Sequence, residues 1–283
     1  MNNLPPRNRS FRPQLPSNCA VKLIGLGGIG SIVARYGAVF LASLGQEVRL
    51  VLVDGDVFEY SNASRMLFAG YGNKASVLRS ELLPRFADSS LSLLAIEKFA
   101  TPDNVSSLVR SGDLCLLCVD NHATRKLLND HCSRLADVCL ISGGNDGVGK
   151  DSSGAVRRGT YGNVQIYVRC HGKDVTASLA RDHPEIASPA DHLPGDQNCT
   201  ELVTSTPQIL FANLAVASAM LNTLFLWLSG ALHYGELSFD IADGLMRPTM
   251  PLSTTCRHGP HRPRARKSRA RLPVSRKNQP SEL

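Results

Sequence analysis

From Leu202 to Gly235 the chain has no Asp, Glu, Lys or Arg. The stretch Gln208 to Leu228 is therefore long enough to cross a bilayer, and the basic segment behind it would suit a cytoplasmic flank. Gln208, Asn213 and Asn222, together with many Ala and Ser residues, argue instead for a helix packed in a protein core, with no membrane involved. Also missing is a charged n-region leading into an apolar run and cleavage site. Residues 1–17 are rich in Pro, Asn and Arg, so a cytoplasmic location is expected. Cys-x-x-Cys occurs only at Cys115–Cys118, inside an apolar run whose alternation puts the two on opposite faces. That excludes a zinc site built from two such pairs. Cys115, Cys118 and Cys139 all fall in strand-like apolar runs, which suits reduced, buried thiols and excludes a disulfide framework. His171, His183 and His192, scattered between Cys170 and Cys199, read as loop histidines rather than metal ligands. No internal repeat is present.

What is there is unevenly charged. Residues 251–283 carry nine Lys and Arg against Glu282, a sum of 9 − 1 = +8, so the other residues sum to 7 − 8 = −1. The chain divides into a flexible arm (1–17), a domain (18–256) and a disordered basic tail (257–283). Within the domain, Val21–Leu26 predicts a strand and Gly28 to about Leu44 a helix. Val48–Val53 is a continuous apolar run, as expected of a strand covered on both faces. Asn73–Phe86 reads as a helix ended or kinked at Pro84, and Leu91–Ile96, Leu114–Val119 and Val138–Ser142 as strands, with helical spacing from His122 to Leu135. Such alternation predicts an α/β fold, a Rossmann-like doubly wound and mostly parallel sheet with ligands at the carboxyl ends of its strands. Beyond it, Gly143–Gly162 reads as loop, Asn163–Arg169 as a strand and 170–206 as an irregular crossover. Pro207 to about Ala231 is a long helix and Leu237–Ile241 a last strand, a C-terminal extension of the fold.

The chemistry concentrates between Val21 and Lys74. The turn Gly25-Leu26-Gly27-Gly28-Ile29-Gly30 would bring phosphate to backbone N–H groups at a helix N-terminus. Asp54, 24 residues past Gly30, is placed to accept from ribose hydroxyls, with Asp56 close behind. To this point an NAD(P)-dependent oxidoreductase fits as well as an ATP user. Asn62, Arg65 and Lys74 then add an amide donor and two cations near a triphosphate, as displacement of pyrophosphate requires. Asp120 stands at the end of the Leu114–Val119 run, where a carboxylate can hold Mg2+ against phosphates or cap the next helix.

In this order these elements resemble the ThiF/MoeB/ubiquitin-activating-enzyme superfamily. The resemblance covers roughly residues 21–251 and is carried by the glycine turn, Asp54-Gly55-Asp56, Ser61-Asn62-Ala63-Ser64-Arg65, Gly72-Asn73-Lys74-Ala75, and Asp120-Asn121 with Arg125. Cys199, the Gln208–Asn213 helix start and Gly244–Pro248 look closest to the ThiF-like proteins of the bacterial plasmid-borne PRTRC cassette. The resemblance implies a Mg-ATP-dependent adenylyltransferase that activates the C-terminal glycine of a small ubiquitin-like or sulfur-carrier protein, working as a homodimer. Gly25, Gly27, Gly28 and Gly30 would cradle phosphates and Asp54 bind ribose, with Asp56 beside it. Asn62, Arg65 and Lys74 would contact phosphate and stabilise departing pyrophosphate, and Asp120 would ligate Mg2+. Cys199 would receive the activated acyl group, with Cys170 a weaker candidate.

The sequence departs from the family pattern in places. Met66 stands where Gln is usual and Ala63 where Leu is usual, and only nine positions separate Arg65 from Lys74. The N-terminal helix that supplies an arginine to a neighbouring subunit is reduced to the segment with Arg7, Arg9 and Arg12. A catalytically degenerate scaffold therefore stands as a further alternative. The basic tail would make weak, non-specific contact with nucleic acid through phosphates, without aromatic residues to stack on bases.

Overall fold

The computed structural model describes residues 11–63, 66–150, 154–195 and 208–251. Its first half alternates strand and helix: β1 (Ala20–Ile24), α1 (Gly30–Ser43), β2 (Val48–Val53), a small hairpin of β3 (Val57–Phe58) and β4 (Gly72–Asn73), then α2 (Lys74–Leu82) and β5 (Leu91–Ile96). There follow α3 (Val105–Leu108), β6 (Leu114–Leu117), α4 (His122–Cys132) and β7 (Val138–Asn145). The second half contains a hairpin, β8 (Val148–Lys150) with β9 (Val156–Arg158), then β10 (Tyr161–Cys170), β11 (Lys173–Asp174) and α5 (Pro184–Ala187). It closes with α6 (Leu210–Leu228), β12 (Tyr234–Asp240) and β13 (Leu245–Pro251).

The main sheet runs β13-β12-β10-β7-β6-β1-β2-β5, with β11 attached to β10. From β7 to β5 every pairing is parallel, while β10, β12 and β13 are added antiparallel. The fold is thus α/β with a mostly parallel, Rossmann-like sheet, as expected. The chain moves outward from β1 through β2 to β5 and then returns to the other side of β1 as β6. That reversal opens a crevice at the carboxyl ends of β1 and β6, the usual place for a ligand in such sheets.

Alternation along each strand divides the core into two layers. Val21 and Leu23 of β1, with Leu50 and Leu52 of β2, meet α1, α2 and α6 on one face. Ile24, Val51, Val53, Cys115 and Leu117 meet α3, α4 and the segment before α5 on the other. Cys115 and Cys118 belong to opposite layers, as the period of two requires. Burial pushes the Cys19 thiol up to about 11 and those of Cys118 and Cys132 up to about 12, so they pack as small apolar groups.

α6 is the one helix among the described residues long and apolar enough to cross a membrane. It lies between α1, β7 and β10 as a core helix. Its buried polar residues face partners inside the protein: Asn145 Nδ2 donates to Asn213 Oδ1 (2.8 Å), and Thr223 Oγ1 lies 3.0 Å from the Tyr234 hydroxyl. The described part of the arm is docked, not free. The Phe11 ring meets that of Phe225 edge-on at 5.9 Å, and the Gln14 N–H donates to Leu228 O.

The segment 143–162 differs most from its sequence expectation. Gly143, Gly144 and Asn145 extend β7, β8 and β9 form a hairpin, and β10 begins at Tyr161. Glycine here answers to close packing across the strand. A Cβ on Gly143 would lie 2.3 Å from Met220 Sδ, and one on Gly144 would lie 2.3 Å from Arg125 Nη2. Pro84 marks the change from α2 to a single 3-10 turn, Leu83–Phe86, as its missing N–H predicts.

Candidate active site

The glycine turn leaves β1 through Gly25, whose φ of +86° only glycine adopts without strain. Helix α1 starts at Gly30 with no side chain capping it. The Ser31 and Ile32 N–H groups donate to Gly27 O and Ile29 O, so it is the N–H groups of the turn before them, with the positive end of the dipole, that can meet an anion. The four glycines are not equivalent. A Cβ on Gly30 would lie 1.9 Å from Gly25 O, and one on Gly28 would lie 2.3 Å from Asn213 Nδ2, so both serve packing. At Gly27 the nearest atom to such a Cβ is Met66 Cε, at 3.8 Å. Nothing in the protein demands glycine there, and a ligand close to the backbone would.

A cavity of about 500 Å3 lies over this turn, and Gly25, Gly27, Gly28, Asp54, Asp56, Asn62, Lys74 and Asp120 all line it. Asp54 is almost buried and ties β2 to the turn: Oδ2 accepts from the Leu26 N–H (2.6 Å) and Oδ1 from the Asp56 N–H (2.8 Å). Burial pushes its carboxyl above the usual range, against those two hydrogen bonds. The β3–β4 hairpin carries Lys74 to the cavity, and Asn73 caps α2 by accepting from the N–H groups of Ala75 and Ser76. Lys74 is buried and its ammonium pairs with the Asp56 carboxylate. Asp56 thus serves first as the partner that holds this cation. Asn62 Oδ1 accepts from the Glu59 N–H at 3.2 Å, which leaves the amide NH2 as a donor.

Asp120 is exposed at the end of β6 and carries no hydrogen bond or ion pair among the described residues. It is not the cap of α4. Asn121 fills that role by accepting from the Thr124 N–H at 2.7 Å, while Asp191 accepts from the N–H groups of His122 and Ala123, each at 2.7 Å. An unpaired carboxylate facing the glycine turn has the hard oxygen donors that Mg2+ prefers. Arg65 and Cys199 lie outside the described residues. Cys170 ends β10 beside the start of β7, at the far end of the sheet from the cavity, which removes it as an acyl acceptor there.

Sequence reasoning used Arg125 only as a landmark, yet it is the most constrained group of the site. Buried at 6% exposure, it donates to Ser142 Oγ (3.0 Å), Val119 O (2.8 Å) and Gly143 O (3.0 Å), and its Nε has no partner. No carboxylate pairs with it among the described residues, and burial pulls its pKa below the ordinary arginine value. Only the approach of Gly144 shows that it points inward. Lys98, Phe99 and Asn145 also line the cavity and had no signal in the sequence, as does Gln208, which the sequence marked only as a helix start.

A Rossmann-like sheet with a glycine turn, a second-strand acid and convergent cations defines a nucleotide-binding domain. The sequence matches the ThiF family over residues 14–250, and the chain belongs to that family. It is 35% identical over 128 residues to the adenylyltransferase and sulfurtransferase MOCS3 of Sus scrofa, covering 44% of this chain and 27% of that protein. It is 32% identical over 119 residues to the vegetative protein HesA of Trichormus variabilis, covering 41% and 43%. The chain thus spans well under half the length of these curated relatives. Among solved structures, E. coli MccB in complex with MccA-N7isoASN superposes with a TM-score of 0.58 at 19% identity, covering 84% of this chain and 66% of that one. PaaA superposes at 0.55 and 17%, covering 82% and 73%. Both share the fold.

Proposed function

We propose that this protein is an ATP-dependent adenylyltransferase that activates the C-terminal carboxylate of a small ubiquitin-like or sulfur-carrier protein, with glycine as the terminal residue. The observation that carries the reading is Arg125, a buried guanidinium with no carboxylate partner, at the mouth of a cavity floored by a glycine turn. No carboxylate touches it, and Asp120, Asp191 and Glu185 offset only part of the cost of burying the cation, so an incoming anion is favoured beside it. MOCS3 carries adenylyltransferase in its name and MccB has been solved with ATP, which supports the same class of reaction here.

In this reading a carboxylate oxygen of the tail attacks the α-phosphorus. The bond from that phosphorus to the bridging oxygen breaks, pyrophosphate leaves with the electron pair, and the tail becomes an acyl-adenylate. The N–H groups from Gly27 to Gly30 hold the phosphates, Asp54 orients the ribose, and Asn62, Arg65 and Lys74 stabilise charge building on the leaving group. Asp120 would hold Mg2+, which when bound neutralises phosphate charge. In a second step the Cys199 thiolate attacks the acyl carbon, the bond from that carbon to the phosphate oxygen breaks, and AMP leaves as a thioester forms. Exposed apolar side chains on α1 (Tyr36, Val39) and α6 (Leu210, Phe211, Leu214) support a homodimer. A cytoplasmic setting and kinship with the PRTRC proteins belong to the same proposal, and neighbouring genes encoding a small protein that ends in glycine would identify the partner.

ATP–pyrophosphate exchange stimulated by such a partner tests the reading. Asp120→Ala is expected to abolish exchange with the fold intact, since Asn121 and not Asp120 caps α4; unchanged exchange removes Asp120 from the site. Cys199→Ala should spare exchange and block a thiol-reducible conjugate. A protein that binds the tail without exchange is a scaffold, and one that prefers NAD to ATP is an oxidoreductase.

A further inference from the structure

At the end of the sheet opposite the nucleotide crevice, two loops meet. One, residues 133–137, joins α4 to β7, and the other is the turn between β10 and β11. Cys170 pairs with Lys173, so His171 and Gly172 alone make that turn. Their φ angles of +48° and +75° are those of a tight two-residue hairpin. Hydrogen bonds fix the turn on the loop. The Gly172 N–H donates to Ala136 O (2.8 Å), the His171 N–H to Asp137 Oδ1 (2.9 Å) and Arg169 Nε to Leu135 O (2.8 Å).

This docking gathers three kinds of metal ligand. A carboxylate oxygen of Asp137, Sγ of Cys170 and a ring nitrogen of His171 all lie within 4.8 Å of one another. His171 Nδ1 stands 3.9 Å from Asp137 Oδ1, beyond hydrogen-bond reach. Ligand atoms around a tetrahedral zinc ion are roughly 3.3–3.8 Å apart, given bonds of about 2.0–2.3 Å. A small closure of these side chains therefore brings all three onto one ion. His171 is exposed and Asp137 and Cys170 are half-buried, so an ion reaches them from solvent. Arg169, the neighbouring cation, is engaged by Asp174. Read in the sequence, His171 is a loop histidine, and only the docked loop supplies its companions.

We propose that Asp137, Cys170 and His171 hold a zinc ion that staples the β10–β11 turn to the loop between α4 and β7. A thiolate and an imidazole select a borderline-soft metal, whereas Mg2+ and Ca2+ take oxygen ligands. Three protein ligands leave the fourth position to water, and binding releases the thiol proton. The site lies apart from the nucleotide cavity, so it stands or falls independently of the adenylyltransferase reading.

The test uses the full chain, reduced and stripped of metal with a chelator, and titrates it with Co2+ and then Zn2+. Cys170→Ser and His171→Asn are titrated in parallel; asparagine tolerates the left-handed backbone at 171, so the turn is kept. The wild-type protein is expected to bind one more equivalent of cobalt than either variant. It should show a sulfur-to-cobalt charge-transfer absorption that Zn2+ displaces and that Cys170→Ser lacks. Zn2+ should also raise the melting temperature of the wild type more than that of either variant. If either variant fails to fold, Asp137→Asn takes its place. It keeps the oxygen that accepts from His171, loses the charge, and should weaken cobalt binding by about tenfold or more. Equal metal stoichiometry and affinity in wild type and variants, or a charge-transfer band undiminished in Cys170→Ser, overturns the assignment.

Discussion

Gly27 and Gly30 stand three positions apart and are glycine for different reasons. A methyl group at Gly30 meets the backbone oxygen of Gly25 at 1.9 Å, and backbone cannot yield as a side chain does. Gly30→Ala is expected to lower the melting temperature sharply, by several degrees at least, with or without nucleotide. Gly27→Ala meets only Met66 Cε at 3.8 Å, so it should fold and melt as wild type. It should still lose ATP affinity by tenfold or more, because the methyl intrudes where phosphate approaches the backbone. Isothermal titration and thermal melts of both variants check the pair. Unimpaired ATP binding by Gly27→Ala would take the phosphates away from this turn. The same scale shows why Arg125 was only a landmark in the sequence: a residue type reveals charge, and only neighbours reveal that the charge is buried with no carboxylate in contact.

Among the elements, the segment 183–194 rests on few polar contacts with the sheet and α4, and His183 is the chief of them. Its side-chain hydrogen bond to Glu236, with that to Glu185 in support, raises its pKa to about 9 from an ordinary 6.5, against partial burial. The folded state therefore binds the proton more tightly than the unfolded state does. The resulting stabilisation is complete below pH 6.5 and is lost as pH rises through about 9. Allowing for solvent screening, the contribution is on the order of 1–2 kcal/mol. Urea unfolding between pH 6 and 9.5 should show this decline in the wild-type protein and a flatter profile in His183→Gln. Parallel profiles would mean that His183 does not hold the segment. Arg35 plays a comparable part near the nucleotide cavity, tying α1 to Glu81 of α2 at 2.7 Å while donating to Leu67 O in the loop that follows Met66.

At the scale of the whole molecule, charge is unevenly placed along the chain. The domain is near neutral, and the +8 of residues 251–283 follows the last strand. We propose that this segment makes weak, salt-dependent contact with phosphate backbones. Deletion of residues 257–283 is expected to abolish retention on heparin or single-stranded DNA at low salt. It should leave melting temperature and ATP affinity unchanged, and retention that persists would place the basic surface on the domain. The sheet, by contrast, unites both halves of the chain. β10 and β12 extend the parallel core, and α6 fills the layer that α1 leaves open, so the two halves are not expected to fold separately.

Local order was legible where one physical rule dominates. Continuous apolar runs bounded by turns located β2 and β5, Pro84 located the end of α2, and the spacing of the glycine turn, Asp54, Lys74 and Asp120 located the crevice. Those signals are one-dimensional, set by backbone preference and burial along a single element. Tertiary structure decided the rest: that Gly143 and Gly144 are strand with Met220 and Arg125 pressed against them, and that Arg125 is buried against Ser142 and Gly143 with no carboxylate in contact. Each of these depends on atoms distant in the chain arriving within a few ångströms, and no local pattern records such an encounter.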